Sequence, residues 1–277
     1  MPRPDALRHR GLLAGTALFA LFAGASLAAP WLAPHDPLGL AAGAGATLER
    51  PSAAHPFGTD ALGRDLLSRV LWGGRVSLAV GIGVEALTAL FGCAVGLVAG
   101  WYGGAVDAVL MRVTDVVMAF PSLVLAIGLI AVFERPGLDK VVLVLVALGW
   151  TTIARVVRGA VLALRTRDHV QAARALGASN LAIMTRHLLP NALGPLLVAA
   201  TLGVGGNMVA EAGLSFLGLG AQSPTISWGA LLADGQSFLA SAPWVAVFPG
   251  AALLLAVLAV NLLGDGLRDV LDPRFRA

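Results

Sequence analysis

The chain has 277 residues, of which 57% are hydrophobic and only 13% charged, and its formal net charge is +3. Soluble domains average about 25% charged residues, and a chain of this length could not bury so much apolar surface in one water-soluble core. The composition therefore argues against a soluble enzyme, a nucleic-acid-binding module or a disordered chain, and it predicts an all-α polytopic membrane protein.

Six apolar stretches are long enough to cross a bilayer, because a spanning helix needs about 20 mostly apolar residues. They are residues 11–33, 77–100, 113–133, 141–164, 188–210 and 242–264. Thirteen of the 19 Lys and Arg residues fall in the segments on one side of these stretches, the side that includes both termini. Since positive residues are enriched in cytoplasmic segments, both termini are expected in the cytoplasm.

The first stretch has two interpretations. Arg residues precede it and small residues end it, as in a cleaved signal peptide. The apolar part of a signal peptide has about 7–15 residues, however, and this stretch is longer. We therefore expect an uncleaved membrane anchor.

Small residues recur at every fourth position of the second stretch and predict tight helix packing. They are Thr88, Gly92, Gly96 and Gly100. Near the inner end of the third stretch, Asp115 is expected to form an ion pair with Arg112 or Arg155.

The histidines show no metal-binding spacing. His9, His35 and His55 are isolated in the sequence, while His169 and His187 fall in the segment between the fourth and fifth stretches. No His-Glu-x-x-His motif and no Cys/His pair is present, so we predict neither a metal site nor a bound cofactor.

Residues 165–190, between the fourth and fifth stretches, carry the strongest local signal. Asp168 is predicted to cap a short helix, with Gln171 completing a capping box. Gly177 is placed to end that helix in the left-handed conformation.

Ser179 or Asn180 is expected to cap a second short helix, which Pro190 closes before the fifth stretch. A helix, a glycine turn and another helix form a compact unit suited to transmitting force from a cytoplasmic partner. The alternative is an amphipathic loop whose Arg residues rest on lipid headgroups.

This segment resembles the cytoplasmic EAA loop of bacterial ABC-importer permeases. In that family Glu-Ala-Ala is followed by three residues, a Gly, nine residues, and an ending in Leu-Pro. The resemblance implies an ATPase-coupling role for Gln171, Ala172, Ala173, Arg174, Gly177, Leu189 and Pro190. Gln171 replaces the family's Glu, so this chain lacks the negative charge at that position.

Further segments resemble the dipeptide/oligopeptide/nickel permeases, in the family's order. They include residues 55–65, 211–220 and 261–269. The chain is most similar to the six-span, second-subunit type, which implies a type I ABC importer architecture. The division expected is an anchor with its outside loop at 1–73 and a permease core at 74–277.

The resemblance implies a multi-pass protein of the bacterial inner membrane. Its partners would be a sister permease, two cytoplasmic ABC ATPases and an external solute-binding protein. The chain has no ATP-binding phosphate loop of its own, because its only lysine, Lys140, follows Asp139 rather than a glycine. The expected cargo is a small peptide, with nickel or another small solute as the alternative.

Polar residues inside the spans are candidates for the translocation pathway, because acidic groups at membrane depth usually face a cavity or a partner. Glu85, Asn207 and Glu211 are these candidates; the alternative is a hydrogen bond or ion pair between helices. Two further functions remain open. An intramembrane enzyme would need paired carboxylates at one depth, and an ion-coupled secondary transporter often shows inverted repeats.

Overall fold

The computed structural model describes residues 10–39 and 47–271, and within them the fold is a bundle of helices with one antiparallel bridge, between Thr59 and Asp65. The helices are α1 (Arg10–Leu27), α2 (Ala29–Leu32), α3 (Leu66–Tyr102), α4 (Gly104–Met118), α5 (Ser122–Ile130), α6 (Leu138–Leu164), α7 (Asp168–Ala175), α8 (Asn180–Ile183), α9 (Leu189–Phe216), α10 (Trp228–Gln236) and α11 (Trp244–Leu271). Four Arg residues that were counted for the orientation lie outside the described residues: Arg3, Arg8, Arg274 and Arg276. His9 also lies outside them.

Four helical segments in the described part of the chain are long and apolar enough to cross a membrane. They are Leu66–Tyr102, Leu138–Leu164, Asn180–Phe216 and Trp244–Leu271, which contain the predicted second, fourth, fifth and sixth stretches or most of them. The apolar part of α1 is shorter, because the helix ends at Leu27 and Pro30 starts the separate α2. By length alone the described residues provide four spans, or five with the bent pair below, against the six predicted.

The third predicted stretch is not one straight helix, so that prediction is wrong in shape. It consists of α4 and α5, which meet at an angle of 84°. Pro121 stands at the break with an extended ψ of 119°, since proline cannot continue the hydrogen-bond ladder of α4. The bend leaves a space between this pair of helices and α3, α6 and α9.

The predicted stop at Pro190 is also wrong, because α8 and α9 form one continuous helix through a π-helical turn at Met184–Leu188. The amide of Leu189 bonds to the carbonyl of Met184, which widens the turn. Pro190 follows this π-helical turn, at the start of α9.

The small-residue face of α3 packs against α6, as predicted. A methyl group added at Gly96 would lie 2.8 Å from the Cβ of Val157. The same 2.8 Å approach to a β-carbon recurs one turn earlier and one turn later, in the pairs Gly92–Ile153 and Gly100–Val161. Glycine at these positions lets the backbones of α3 and α6 approach closely.

Candidate functional site

The 165–190 segment begins with a helix that is capped differently from the prediction. Arg167 has extended backbone angles and is the cap residue, without a side-chain cap hydrogen bond, so Asp168 is already inside α7. Gln171 does not complete a capping box; its Nε2 donates instead to the carbonyl of Arg165 at 2.8 Å. The predicted capping box is therefore wrong, although the helix itself is present.

The turn after α7 matches the prediction. Gly177 has a φ of +82°, the left-handed region that L residues rarely adopt. Ser179 rather than Asn180 caps the next helix, since its Oγ accepts from the amide of Ala182 at 3.3 Å. Two leucines flank this turn and are exposed to an unusual degree, Leu176 at 88% and Leu181 at 67%.

The rest of the segment is anchored in the bundle. Val170, Ile183 and Leu188 are fully buried and pack in one cluster with Leu97 and Val161 of the long helices. These buried apolar contacts attach the segment to the long helices.

Two arginines add polar contacts to that anchorage. Nη1 of Arg165 donates to the carbonyl of Gly100 at 3.1 Å, at the end of α3. The Arg174 guanidinium lies 5.8 Å from the ring centroid of Trp101, within cation–π range. The segment is thus joined to α3 by one residue before α7 and one residue in its last turn.

A cavity of about 680 Å³ lies among α3, α4, α5, α6 and α9. Its walls are mostly apolar, and the side chains that bring polar atoms to it are Glu85, Ser122, Thr151, Thr152 and Asn207. The break between α4 and α5 forms one wall. A volume of this size fits a small organic solute.

Two of the three predicted pathway candidates meet at this cavity. Nδ2 of Asn207 donates to Oε2 of Glu85 at 2.9 Å, which joins α9 to α3. The geometry therefore contains both features that the sequence left as alternatives, a hydrogen bond between helices and a polar group on a cavity wall.

Glu85 is only 7% exposed, and its second oxygen, Oε1, has no hydrogen-bond partner among the described residues. A methyl group at Gly203 would overlap the Glu85 carboxylate, so glycine is what lets this side chain pack against α9. A buried carboxylate oxygen without a donor is unfavourable. Glu85 lines the cavity, while its Oε1 is buried and unpaired among the described residues.

Glu211, the third candidate, is not among the described residues that line this cavity. It is fully buried, and Ser77 and Ser215 donate to its two oxygens at 3.2 and 2.7 Å. Ser77 also accepts from the amide of Trp228 at 3.1 Å. Glu211 thus joins α3, α9 and the start of α10.

The opposite end of the bundle, which we call the loop end, consists of residues 47–65 and α10. Arg69 of α3 pairs with Asp60 and reaches Asp234 of α10 at 3.3 Å, while Arg64 Nε lies 2.7 Å from Asp60 Oδ2. In the sequence, residues 55–65 indicated only a resemblance to the family. The sequence pattern could not predict this ion-pair network, because Asp234 is far from the other members along the chain.

The ion pair expected for Asp115 is present. Arg155 Nη2 lies 2.6 Å from Asp115 Oδ1, and Arg112 approaches the other oxygen at 3.9 Å. A second pair, Arg158 with Asp107, joins the same two helices, with Nη2 2.6 Å from Oδ2. These contacts fix α4 against α6 near the 165–190 segment.

The prediction that His35 and His55 are isolated is wrong in three dimensions. Their ring centroids lie 4.7 Å apart, and both side chains approach the carboxylate of Asp65. The sequence pattern did not predict this cluster of His35, His55 and Asp65, because the three residues are separate along the chain and only the fold brings them together.

Comparisons with known proteins now add independent information. Residues 92–277 match the family described as "binding-protein-dependent transport system inner membrane component". A putative peptide transport system permease protein of Brucella abortus is 45% identical over 270 residues, covering 98% of this chain and 90% of that protein.

Two further relatives carry more specific names. A dipeptide transport system permease protein of Alkalihalophilus pseudofirmus is 43% identical over 230 residues, covering 83% of this chain and 75% of that protein. A glutathione transport system permease protein of Pectobacterium atrosepticum is 44% identical over 229 residues, covering 83% and 76%.

Proposed function

The chain belongs to the family of binding-protein-dependent transport system inner membrane components, and from that membership we propose how its parts carry out import. It is a permease subunit of an ABC importer and a multi-pass protein of the bacterial inner membrane. Such subunits form the route through the bilayer, while separate subunits bind the cargo and hydrolyse ATP.

The cargo we assign is a small peptide. The relatives are named for peptides, dipeptides and glutathione, and all of these compounds contain peptide bonds. Nickel or another small solute is the alternative within the family. The cavity supports the peptide, because its largely apolar walls with a few polar groups suit side chains and amides.

The partners follow from the transport system. Two cytoplasmic ATPases supply energy, an external binding protein delivers the peptide, and a sister permease completes the pathway. The sequence supports dependence on separate ATPases, because it contains no phosphate-binding loop for ATP. This arrangement also favours an ATP-driven importer over an ion-coupled secondary transporter.

We assign six membrane crossings, with both termini in the cytoplasm. The four long helices supply four crossings, the bent pair of α4 and α5 the third in chain order, and α1 with α2 the first. The charge bias of the connecting segments supports this orientation. Residues 1–73 then form the anchor and outside loop, and residues 74–277 the permease core.

The 165–190 segment is the docking site for an ATPase in this proposal. Leu176 and Leu181 are apolar side chains that the chain itself leaves exposed at the glycine turn, as expected of a surface that a partner covers. The continuous helix Asn180–Phe216 carries Leu181 near one end and Asn207 further along. Movement of the docking site would therefore reach the cavity along one continuous helix.

Glu85 and Asn207 are the pathway residues that we assign. Oε1 of Glu85 is unpartnered but buried, and we propose that it accepts from the terminal ammonium or an amide N–H of a peptide once helix movement exposes it. Glu211 is assigned to packing, because its oxygens are already occupied by serine hydroxyls.

The observation that carries the proposed function is the near full-length match to peptide transport permeases, 45% identical over 98% of the chain. The test is uptake of a labelled dipeptide into proteoliposomes that contain the permeases and ATPases, with binding protein and peptide added. Uptake should require ATP on the ATPase side. Uptake driven by a proton or sodium gradient alone would contradict the proposal.

A further inference from the structure

Three segments of the loop end converge on one carboxylate oxygen. His35 follows α2, His55 lies in the 47–65 loop, and Asp65 is the cap residue of α3. Oδ1 of Asp65 lies 2.9 Å from Nδ1 of His55 and 3.7 Å from Nδ1 of His35. One ligand atom from each residue can be chosen so that all three lie within 4.8 Å of one another.

These distances match the spacing of ligands around a small cation. Two donor atoms bound tetrahedrally to Zn²⁺ at about 2.1 Å lie about 3.4 Å apart, and the two observed separations fall on either side of that value. Two imidazole nitrogens and one carboxylate oxygen are ligands that zinc accepts.

The carboxylate is held in place by groups that leave Oδ1 available. The amide and the hydroxyl of Ser68 both donate to Oδ2 of Asp65, at 2.8 and 2.7 Å. The same Ser68 hydroxyl accepts from the backbone N–H of His35 at 3.1 Å, which fixes the start of that segment. Supporting hydrogen bonds of this kind orient metal ligands in proteins.

The three side chains differ in their exposure to solvent. The side chain of Asp65 is fully buried, that of His55 is 13% exposed, and that of His35 is 44% exposed. A cation therefore has an entry route past His35 and a fixed inner ligand. Water would complete the coordination on the open side.

We propose that His35, His55 and Asp65 form a binding site for a divalent transition-metal ion of the Zn²⁺ type, at the loop end of the bundle. The ion would cross-link the segment after α2, the 47–65 loop and the start of α3. The competing explanation is a hydrogen bond from His55 to Asp65 with His35 merely stacked on it. The two explanations differ in zinc binding, and neither depends on the identity of the transported solute.

The experiment measures zinc binding to the assembled transporter, purified with an affinity tag that contains no histidine. Zinc titration should show one site that both His35→Ala and His55→Gln remove, with a loss of affinity above tenfold. Zinc should also raise the melting temperature of the parent transporter and not that of these variants. Cobalt in place of zinc should give a visible absorption spectrum that the same two variants lose.

His169→Ala is the matched control, because His169 faces another histidine, His187, with ring centroids 6.5 Å apart. This variant should keep both the zinc affinity and the cobalt spectrum. The exposed His35 makes His35→Ala the variant least expected to disturb folding, and elution as a single assembled peak verifies that. Equal zinc affinity in the parent and the His35→Ala and His55→Gln variants would overturn the proposal, and so would absence of zinc binding to the parent.

Discussion

At the scale of single residues, the cavity depends on how Glu85 is held. Its carboxylate receives one hydrogen bond, from Asn207, and retains one oxygen without a partner among the described residues. If that oxygen binds a donor on the peptide, the charge of the carboxylate matters as well as its shape. Substitution by glutamine separates these two properties because it keeps the shape.

Glu85→Gln is expected to raise the KM for dipeptide uptake about tenfold or more. A hydrogen bond to a charged group contributes about 1.5–3 kcal/mol, and about 1.4 kcal/mol corresponds to a factor of ten. The measurement is the concentration dependence of ATP-driven uptake in proteoliposomes.

The control for this variant is Glu134→Gln, which makes the same change at an exposed position outside the lining of the cavity. It should leave the KM unchanged. An unchanged KM in Glu85→Gln would mean that the carboxylate only joins α3 to α9.

Gly177 provides a second residue-level prediction. Because its φ is +82°, Gly177→Val should strain the turn and reduce ATP-driven uptake severalfold, whereas Gly177→Asn should retain most of it, since Asn tolerates the left-handed region. Uptake by both variants, normalised to the amount of assembled transporter, is the measurement. Equal uptake by the two variants would show that the backbone conformation at this turn does not matter.

At the scale of elements, α3 and α6 are in close contact at three glycines of α3, Gly92, Gly96 and Gly100. Gly96→Ala would place a methyl group 2.8 Å from the Cβ of Val157, so the two helices would have to separate. Overpacking of this kind costs about 1–3 kcal/mol, and the variant should melt several degrees below the parent. Thermal unfolding of the purified transporter in detergent measures this shift.

Gly83→Ala is the matched control on the same helix, because an added methyl group there meets no atom within 4 Å. Alanine is also the better helix former, so this variant should melt at or above the parent temperature. A comparable loss of stability in both variants would indicate a general intolerance of α3 rather than close packing.

Some of the helices and turns could be predicted from the sequence alone, and others could not. The four long helices, the glycine face of α3 and the turn at Gly177 follow from composition, periodicity and local backbone preference, and the structure confirms them. The bend at Pro121 and the continuity through Pro190 do not follow in the same way. Proline breaks α4 from α5 but is accommodated in α9 after a π-helical turn, and that choice depends on hydrogen bonds that the sequence pattern does not display.

The side-chain clusters were the least predictable part of the candidate site. The pairing of Glu85 with Asn207, and of Arg69 with both Asp60 and Asp234, joins residues from distant parts of the chain. Local spacing contains no information about such pairs. Glu85 and Asn207 were predicted as pathway residues because they are polar and lie within apolar stretches. The same reasoning selected Glu211, but serine hydroxyls already donate to both of its carboxylate oxygens.

At the scale of the whole molecule, we propose that movement of the bundle originates in a separate subunit, the ATPase. The 165–190 segment is buried on its bundle side and presents leucines on the other, and one uninterrupted helix connects it to the cavity. In the proposed function, force applied at the exposed turn would reach Glu85 and Asn207 along this helix. The zinc site proposed at the loop end is independent of this route.

Cross-linking of Leu176→Cys to the ATPase tests this account most directly. The parent chain is the natural control, because its only cysteine, Cys93, is buried. A maleimide cross-linker should join Leu176→Cys to the ATPase and stop dipeptide uptake, and a membrane-impermeant maleimide added outside intact cells should not label the cysteine. Labelling from outside, or uptake that continues at the parent rate in the fully cross-linked transporter, would contradict the account.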